Sequence, residues 1–318
     1  MRDLVIVLLF LCPFAWSESA ALNVALPCES TMQVLAGNGD YAAIKCTDRS
    51  WHILSLPSGK VVHSFEAKPR VSSYAFSRDG SHFIAGYADG AVEIVPLDGS
   101  AKPLKWQAGS LEIDVVGLLP DSHVAIVAPH EQAGEVWQLT PTPKKIAALP
   151  TDFSGLTFVA TSPDGKLLAA GGTDTTVRLY DTSTWKSVHE FRKLTLEPFA
   201  GAFTSDGKYL LVGGADTQIT LIDPQSGNEV RRLPSSPGVI DAIAPETGDK
   251  RIITHQWDAD GKAPAFVGLW DTEQGFVRKL DSPRPITGGG IVKDAVWFAS
   301  ASGKQMNLWT NQSSPAGK

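Results

Sequence analysis

Apolar residues in this chain come in short runs of four to six, broken by clusters of Gly, Asp, Asn, Ser and Pro. No stretch keeps a helical apolar period over ten or more residues. Residues 162–181, "SPDGKLLAAGGTDTTVRLYD", show the pattern most cleanly: a turn, an apolar strand, a second turn and a second strand. An Asp-Gly pair tolerates the positive φ that a tight hairpin demands. The strand that follows, Leu167 to Ala170, is apolar on both faces, so both faces need cover.

The pattern recurs seven times. Its turn aspartates are Asp40, Asp79, Asp121, Asp164, Asp206, Asp249 and Asp294, spaced by 39, 42, 43, 42, 43 and 45 residues. The strong copies read "SRDGSHFIAG", "SPDGKLLAAGG" and "TSDGKYLLVGG"; the weaker ones read "LPDSHVAIVA", "TGDKRIITH" and "VKDAVWFAS". A period just over forty residues with four short strands in each predicts a ring of four-stranded sheets, a β-propeller. The fold class is therefore all-β, a seven-bladed β-propeller. Its blades fall at about residues 31–66, 71–107, 111–149, 153–193, 199–234, 239–281 and 286–312, the last completed by 22–27. From Ile286 the final repeat offers only three strands, and "LNVALP" (22–27) supplies the fourth, so the last blade is closed by an N-terminal strand. Trp51, Trp137, Trp270, Trp297 and Trp309 sit inside strand patterns and read as packing between blades.

"VRLYD" (177–181), "ITLID" (219–223) and "VGLWD" (267–271) stand where WD-repeat propellers place their Trp-Asp ending, and only Trp270-Asp271 is literal. "GGTDTTVRLYD" and "GGADTQITLID" resemble that family's turn and third strand, and Asp89, Asp174 and Asp216 fall where the family keeps a structural turn aspartate. The resemblance covers residues 22–312, is clear in the second, fourth, fifth and sixth repeats, and implies a fold rather than an activity. The family's Gly-His dipeptide is absent, so its Asp–His–Ser–Trp network does not carry over.

The first residues carry a different message. "MRDLVIVLLFLCPFAW" has a charge at Arg2, an apolar run too short for an ordinary membrane span, and the small, polar exit "SESAA". That describes a signal peptide over residues 1–21, with an uncleaved anchor as the competing reading. It implies an exported protein, periplasmic or extracellular, with no membrane span after cleavage. Two cysteines then remain, Cys28 and Cys46, and an even pair in an exported chain points to a disulfide; two free buried thiols are the alternative. The 28 basic and 34 acidic residues give a net charge of −6 with no Lys/Arg block, which argues against nucleic acid as a partner.

The chain carries no haem-attachment motif, phosphate loop or nucleophile elbow. None of its seven histidines stands at a sequence-local metal spacing, so neither a cofactor nor a metal is assigned. "DADG" (258–261) matches half of a calcium loop and reads as a hairpin tip. The most informative departure is "THQWDADGKAPAFVGLWD" (254–271), whose long turn carries Trp257, Asp258 and Asp260. A second irregular turn, "APHEQAGE" (128–135), carries His130 and Glu131. Strand alternation puts both turns on one rim, so these five residues are the candidate partner-binding set; ordinary loop variation is the plainer account. The expected function is a rigid scaffold that binds a protein or peptide through that rim, as a monomer or within a hetero-complex. The rival is a propeller enzyme, resembling lactonases or lyases, with an axial metal-assisted site.

Overall fold

The structure is a computed structural model that describes residues 22–36, 39–149, 155–245, 250–258, 260, 265–280, 288–292, 295–302 and 304–310. Its strands run in chain order through blades I to VI and a closing sheet. A lone strand, β1 (Leu22–Ala25), comes first. Blade I is β2 (Ser30–Leu35), β3 (Tyr41–Cys46), β4 (Trp51–Ser55) and β5 (Lys60–Phe65). Blade II is β6 (Val71–Phe76), β7 (His82–Tyr87), β8 (Ala91–Pro96) and β9 (Leu104–Gln107). Blade III is β10 (Ile113–Leu118), β11 (Val124–Pro129), β12 (Glu135–Gln138) and β13 (Lys144–Ala148). Blade IV is β14 (Leu156–Thr161), β15 (Leu167–Gly172), β16 (Val177–Asp181) and β17 (Ser187–Phe191). Blade V is β18 (Pro198–Phe203), β19 (Leu210–Gly214), β20 (Ile219–Asp223) and β21 (Asn228–Leu233). Blade VI is β22 (Val239–Pro245), β23 (Arg251–Trp257), β24 (Phe266–Asp271) and β25 (Gly275–Leu280). Last come β26 (Gly288–Val292), β27 (Ala295–Ser302) and β28 (Gln305–Thr310).

The hydrogen-bonded order in blades I to VI follows the sequence, and a further four-stranded sheet runs β1-β28-β27-β26. Counted as units of four successive strands, the blades number six. The expectation of seven blades is thereby corrected: the remaining sheet, β26–β28 with β1, is a composite and not a further unit of four successive strands. β1 lies antiparallel to β28, with Val24 opposite Met306, and both side chains are buried. The first strand of each sheet is the innermost: β6, β10, β14, β18, β22, β26 and β2 pack in succession around one axis. The turns at Asp249 and Asp294 and the side chains of Trp297 and Trp309 lie outside the described residues.

Each second strand shows why a blade does not stand alone. Phe83, Ile84 and Ala85 are all fully buried, yet they point alternately to opposite faces. Phe83 and Ala85 join Trp51, Ile53 and Phe65 of blade I, while Ile84 joins Ile113 and Val116 of blade III. Near the axis the spacing is too tight for side chains on both partners. Phe158 of blade IV fills the space over Gly171 and over Gly201 of blade V, where an added Cβ would collide with its ring. Trp51 and Trp270 are buried between blades, whereas Trp137 is half-buried and donates from Nε1 to Glu135 at 2.9 Å.

The turns repeat one device. In blades II, IV and V, Ser77, Ser162 and Thr204 donate their hydroxyls to Asp79, Asp164 and Asp206 and accept the backbone N–H of His82, Leu167 and Tyr209. The glycine after each aspartate takes φ of 70–72°. Blade III writes "LPDS", and Ser122 accepts the left-handed φ of 56° in place of that glycine. Asp89, Asp174 and Asp216 accept the N–H two residues on, from Ala91, Thr176 and Gln218. Asp48 does the same for Ser50 in blade I. Beneath the turn of blade IV, the fully buried Arg178 donates to Asp174 at 2.8 Å and lies 3.5 Å from Glu190. No helix among the described residues is long and apolar enough to cross a membrane.

Two stability predictions follow from these polar contacts. Removing Asp174's charge takes away the nearer of the two carboxylates that face buried Arg178, with Glu190 at 3.5 Å the other. Asp174→Asn, which keeps the turn acceptor, is expected to lower unfolding free energy in urea by about 3 kcal/mol, whereas Arg178→Met costs less than about 1.5 kcal/mol. The second concerns acid. Hydrogen bonds from Ser162 and the Lys166 amide, from Ser183 and Thr184, and from Ser226 and the Gln225 amide hold Asp164, Asp181 and Asp223 below the usual carboxylate range. A carboxylate with a depressed folded-state pKa stabilises above its unfolded pKa, and that contribution is lost as pH falls through the folded value. The urea midpoint is expected to drop between about pH 5 and pH 2, and the triple variant D164N/D181N/D223N to show a shallower slope.

Candidate functional site

Antiparallel pairing of the first two strands slips at the same place in every blade. The register shift leaves one extra residue near the start of the inner strand: Thr31, Ser72, Asp114, Thr157, Phe199 and Asp241 in blades I to VI. A β-bulge of this kind re-aims a side chain, because the residue has no cross-strand partner to fix its direction. Thr31 and Ser72 use their hydroxyls on carbonyls of the adjacent second strand, at Lys45 (3.3 Å) and Gly86 (3.2 Å). Ser72 also donates to the Ile113 carbonyl of the next blade at 2.8 Å.

The two aspartates do something different. Asp114 binds His130 Nδ1 at 2.8 Å, and Asp241 binds His255 Nδ1 at 2.7 Å. Blades III and VI, three steps apart around the ring, thus each build a carboxylate–imidazole pair on the bulge aspartate, with His130 standing just past β11 and His255 within β23 opposite Ala242. The hydrogen bond and charge of Asp114, reinforced by Glu131 and Glu112, raise the pKa of exposed His130 above the ordinary imidazole value. Burial first, and then the Asp241 carboxylate, push the Tyr74 phenol on the inner strand of blade II up to about 12. Glu112, just before β10, accepts a bidentate contact from Arg70 of blade II at 2.6 and 2.7 Å.

His130 and Glu131 stand together in the turn between β11 and β12, with Glu131 at a left-handed φ of 53°. Trp257 ends β23, and Asp258 and Asp260 stand in the turn after it, where Asp258 accepts the Asp260 amide at 3.2 Å. Trp257 is 39 % exposed, so part of its surface is open to solvent. The structure does not gather the five expected residues into one contact: they form two groups on the same rim, in blades III and VI. Asp114, Asp241, Glu112 and Arg70 are additions that strand patterning alone does not single out. The available signal is the Ile-Asp pair in "LEIDVV" and "GVIDAI", each seven or eight residues before a turn aspartate.

The opposite end of the axis differs. There the C-terminal halves of β6, β10, β14, β18 and β22 enclose an open cavity of about 530 Å³, lined by residues such as Ala75, Val116, Val159 and Ala244, with Arg78 and Ser205 at its border. Among the described residues, one His/Cys/Asp/Glu group has ligand atoms close enough to share a metal ion. It is Cys28, Cys46 and His52, away from the axis.

Two stretches, residues 59–94 and 130–181, match the model of the WD domain, G-beta repeat, and together make up less than a third of the chain. No curated protein sequence matches significantly. Among solved structures, a chain in the crystal structure of a mitotic checkpoint complex is similar at 16 % identity and a TM-score of 0.74, covering 98 % of each chain. The β-propeller domain of Cps50 (Swd1) from Myceliophteria thermophila is similar at 15 % identity and a TM-score of 0.74, covering 92 % of this chain and 99 % of that one. In blade VI, which neither matched stretch covers, buried Trp270 donates from Nε1 to Thr254 at 2.9 Å. The chain thus shares the β-propeller architecture of these structures, and two of its stretches are similar to the WD-type repeat.

Proposed function

We propose that the protein is an exported interaction scaffold whose acidic rim binds a cationic segment of a protein partner. The repeat family and the fold support an interaction role. The observation that carries the finer reading is the pair of bulge aspartates, Asp114 and Asp241, held on opposite sides of one mouth. Glu131 and Asp258 add negative charge beside them, and exposed Trp257 offers an aromatic face suited to a guanidinium or to the stem of a lysine. Export rests on the basic start, short apolar run and small-residue exit of residues 1–21.

Polarity of the mouth varies with pH. Below its raised pKa, His130 is an imidazolium that offsets Asp114; above it, the carboxylate stands uncompensated. A cationic partner is therefore expected to bind more tightly as pH rises from about 6 to 8.

The test is site-specific photo-crosslinking of the mature chain in its native extract, with the probe at Trp257 or, as a control on the outer edge, at exposed Val188. A single partner captured from Trp257 and not from Val188 is expected. With that partner purified, Trp257→Ala and the double variant D114N/D241N should each weaken binding at least tenfold in calorimetry. Equal capture from both positions, or unchanged affinity in both variants, would exclude the rim.

A further inference from the structure

The seam between blade I and the composite sheet carries a group of side chains whose chemistry exceeds that of a disulfide. Cys28 follows β1 in the connection to β2 and is bonded to Cys46 at the end of β3, with Cα atoms 5.8 Å apart. Register explains why His52 joins them. His52 lies opposite Ile44, two residues before Cys46, so the imidazole and the Cys46 sulfur share one face of blade I as diagonal neighbours. Ser30 lies opposite Cys46, and Cys28, two residues upstream, reaches the same face. The ligand atoms of Cys28, Cys46 and His52 all lie within 4.8 Å of one another.

From this placement we infer that the reduced cysteine pair, together with His52, forms a binding site for one thiophilic closed-shell cation such as Zn²⁺. Two thiolates and an imidazole are the donors such an ion selects, and three protein ligands leave a fourth position for water. Tetrahedral Zn²⁺ with sulfur and nitrogen ligands sets its donor atoms roughly 3.3–3.8 Å apart, within the spread already present. The imidazole is prepared for the role. Ser64, opposite His52 on β5, lies 2.8 Å from Nδ1, and a proton placed there is held by the hydroxyl; Nε2, whose neighbour Ser50 Oγ stands at a long 3.5 Å, is then open to a ligand. Cys46 is 1 % exposed while Cys28 and His52 are half-buried, so an ion has one open approach.

The chemistry balances with an external thiol as reductant. One thiolate attacks the Cys28–Cys46 bond to give a mixed disulfide, and a second releases it, leaving two cysteine thiols and one external disulfide. Zn²⁺ then displaces two protons to form two Zn–S bonds, and His52 binds without proton loss. The consequence is mechanical. Cys28 is three residues from the end of β1, so the closing strand is clipped to blade I by a covalent bond under oxidising conditions and by a metal ion under reducing ones.

The experiment uses the full mature chain, reduced with a phosphine that is then removed under anaerobic conditions, and titrated with Zn²⁺ alone. Bound metal is counted by elemental analysis, and thermal unfolding is followed by circular dichroism. One Zn²⁺ per chain, with recovery of at least half the unfolding temperature lost on reduction, is expected. His52→Ala, which keeps the disulfide, should match the parent when oxidised and bind Zn²⁺ at least tenfold more weakly when reduced. If reduction unfolds the chain, Zn²⁺-driven refolding of the parent but not of His52→Ala is the expected result. Absence of stoichiometric uptake by the reduced parent, or equal affinity in His52→Ala, overturns the site.

Discussion

Everything in this molecule depends on the circle being closed. A sheet such as β6–β9 buries apolar side chains on both faces, so its stability comes from the blades on either side. An open ring would leave two such faces in water. The β1–β28 ladder and the Cys28–Cys46 bond both act at that one place, joining segments far apart in sequence. Pairing of this kind contributes little locally, because four short rungs seldom hold a strand unaided. Its leverage lies in the faces it keeps dry: Val24, Leu26 and Met306 pack against Ala42, Ile44 and Leu54 of blade I only when the end strand is in place.

Closure also dictates where polar chemistry can stand. Inner strands crowd around the axis, and alternation along a regular strand would send half of their side chains into neighbouring blades. The register slip near the start of the inner strand in blades I to VI frees one residue per blade from that constraint. Which residue occupies the slip is then free to vary, and the chain uses Thr, Ser, Asp, Thr, Phe and Asp at one geometric position. Arg178 shows the opposite case, a charge inside the regular part of a strand. It survives there because Asp174, two residues beyond the previous strand, meets it from the turn.

Turn residues were the most legible part of the sequence, because left-handed φ and side-chain-to-backbone hydrogen bonds admit few residue types. Asp79, Asp164 and Asp206 announce their hairpins, and the spacing between them carries the blade boundaries. The composite sheet could be read from a deficit, three strands after Ile286 against a spare one at Leu22. Arg178 was hidden in "VRLYD", since a strand pattern does not say whether a polar position faces water or a neighbouring blade. Asp114 and Asp241 were hidden for a related reason: a bulge belongs to the pairing of two strands, and neither strand shows it alone. His130, Glu131 and Trp257 stood out only as irregular turns, and it took the bulges to show that each group has an aspartate partner on its own blade.

The two ends of the axis differ in kind, and that difference orients whatever binds. At one mouth stand the histidine-bonded carboxylates of Asp114 and Asp241, on blades three steps apart; at the other, alanine, valine and glycine walls, with Arg78, Thr161 and Ser205 among them, line an open cavity. A cationic side chain entering from the acidic end meets its counter-charges at the rim and loses them as it goes deeper, where desolvation is no longer compensated. Contact is thereby confined to the rim, where a partner's backbone can also meet the turns between β11 and β12 and between β23 and β24. Those turns are longer than their counterparts in blades IV and V, and they flank the same two blades that carry the aspartates. Charge at the mouth and extra length at its edge therefore coincide, which is the arrangement a surface needs to recognise an extended segment by an anchor and its flanks together.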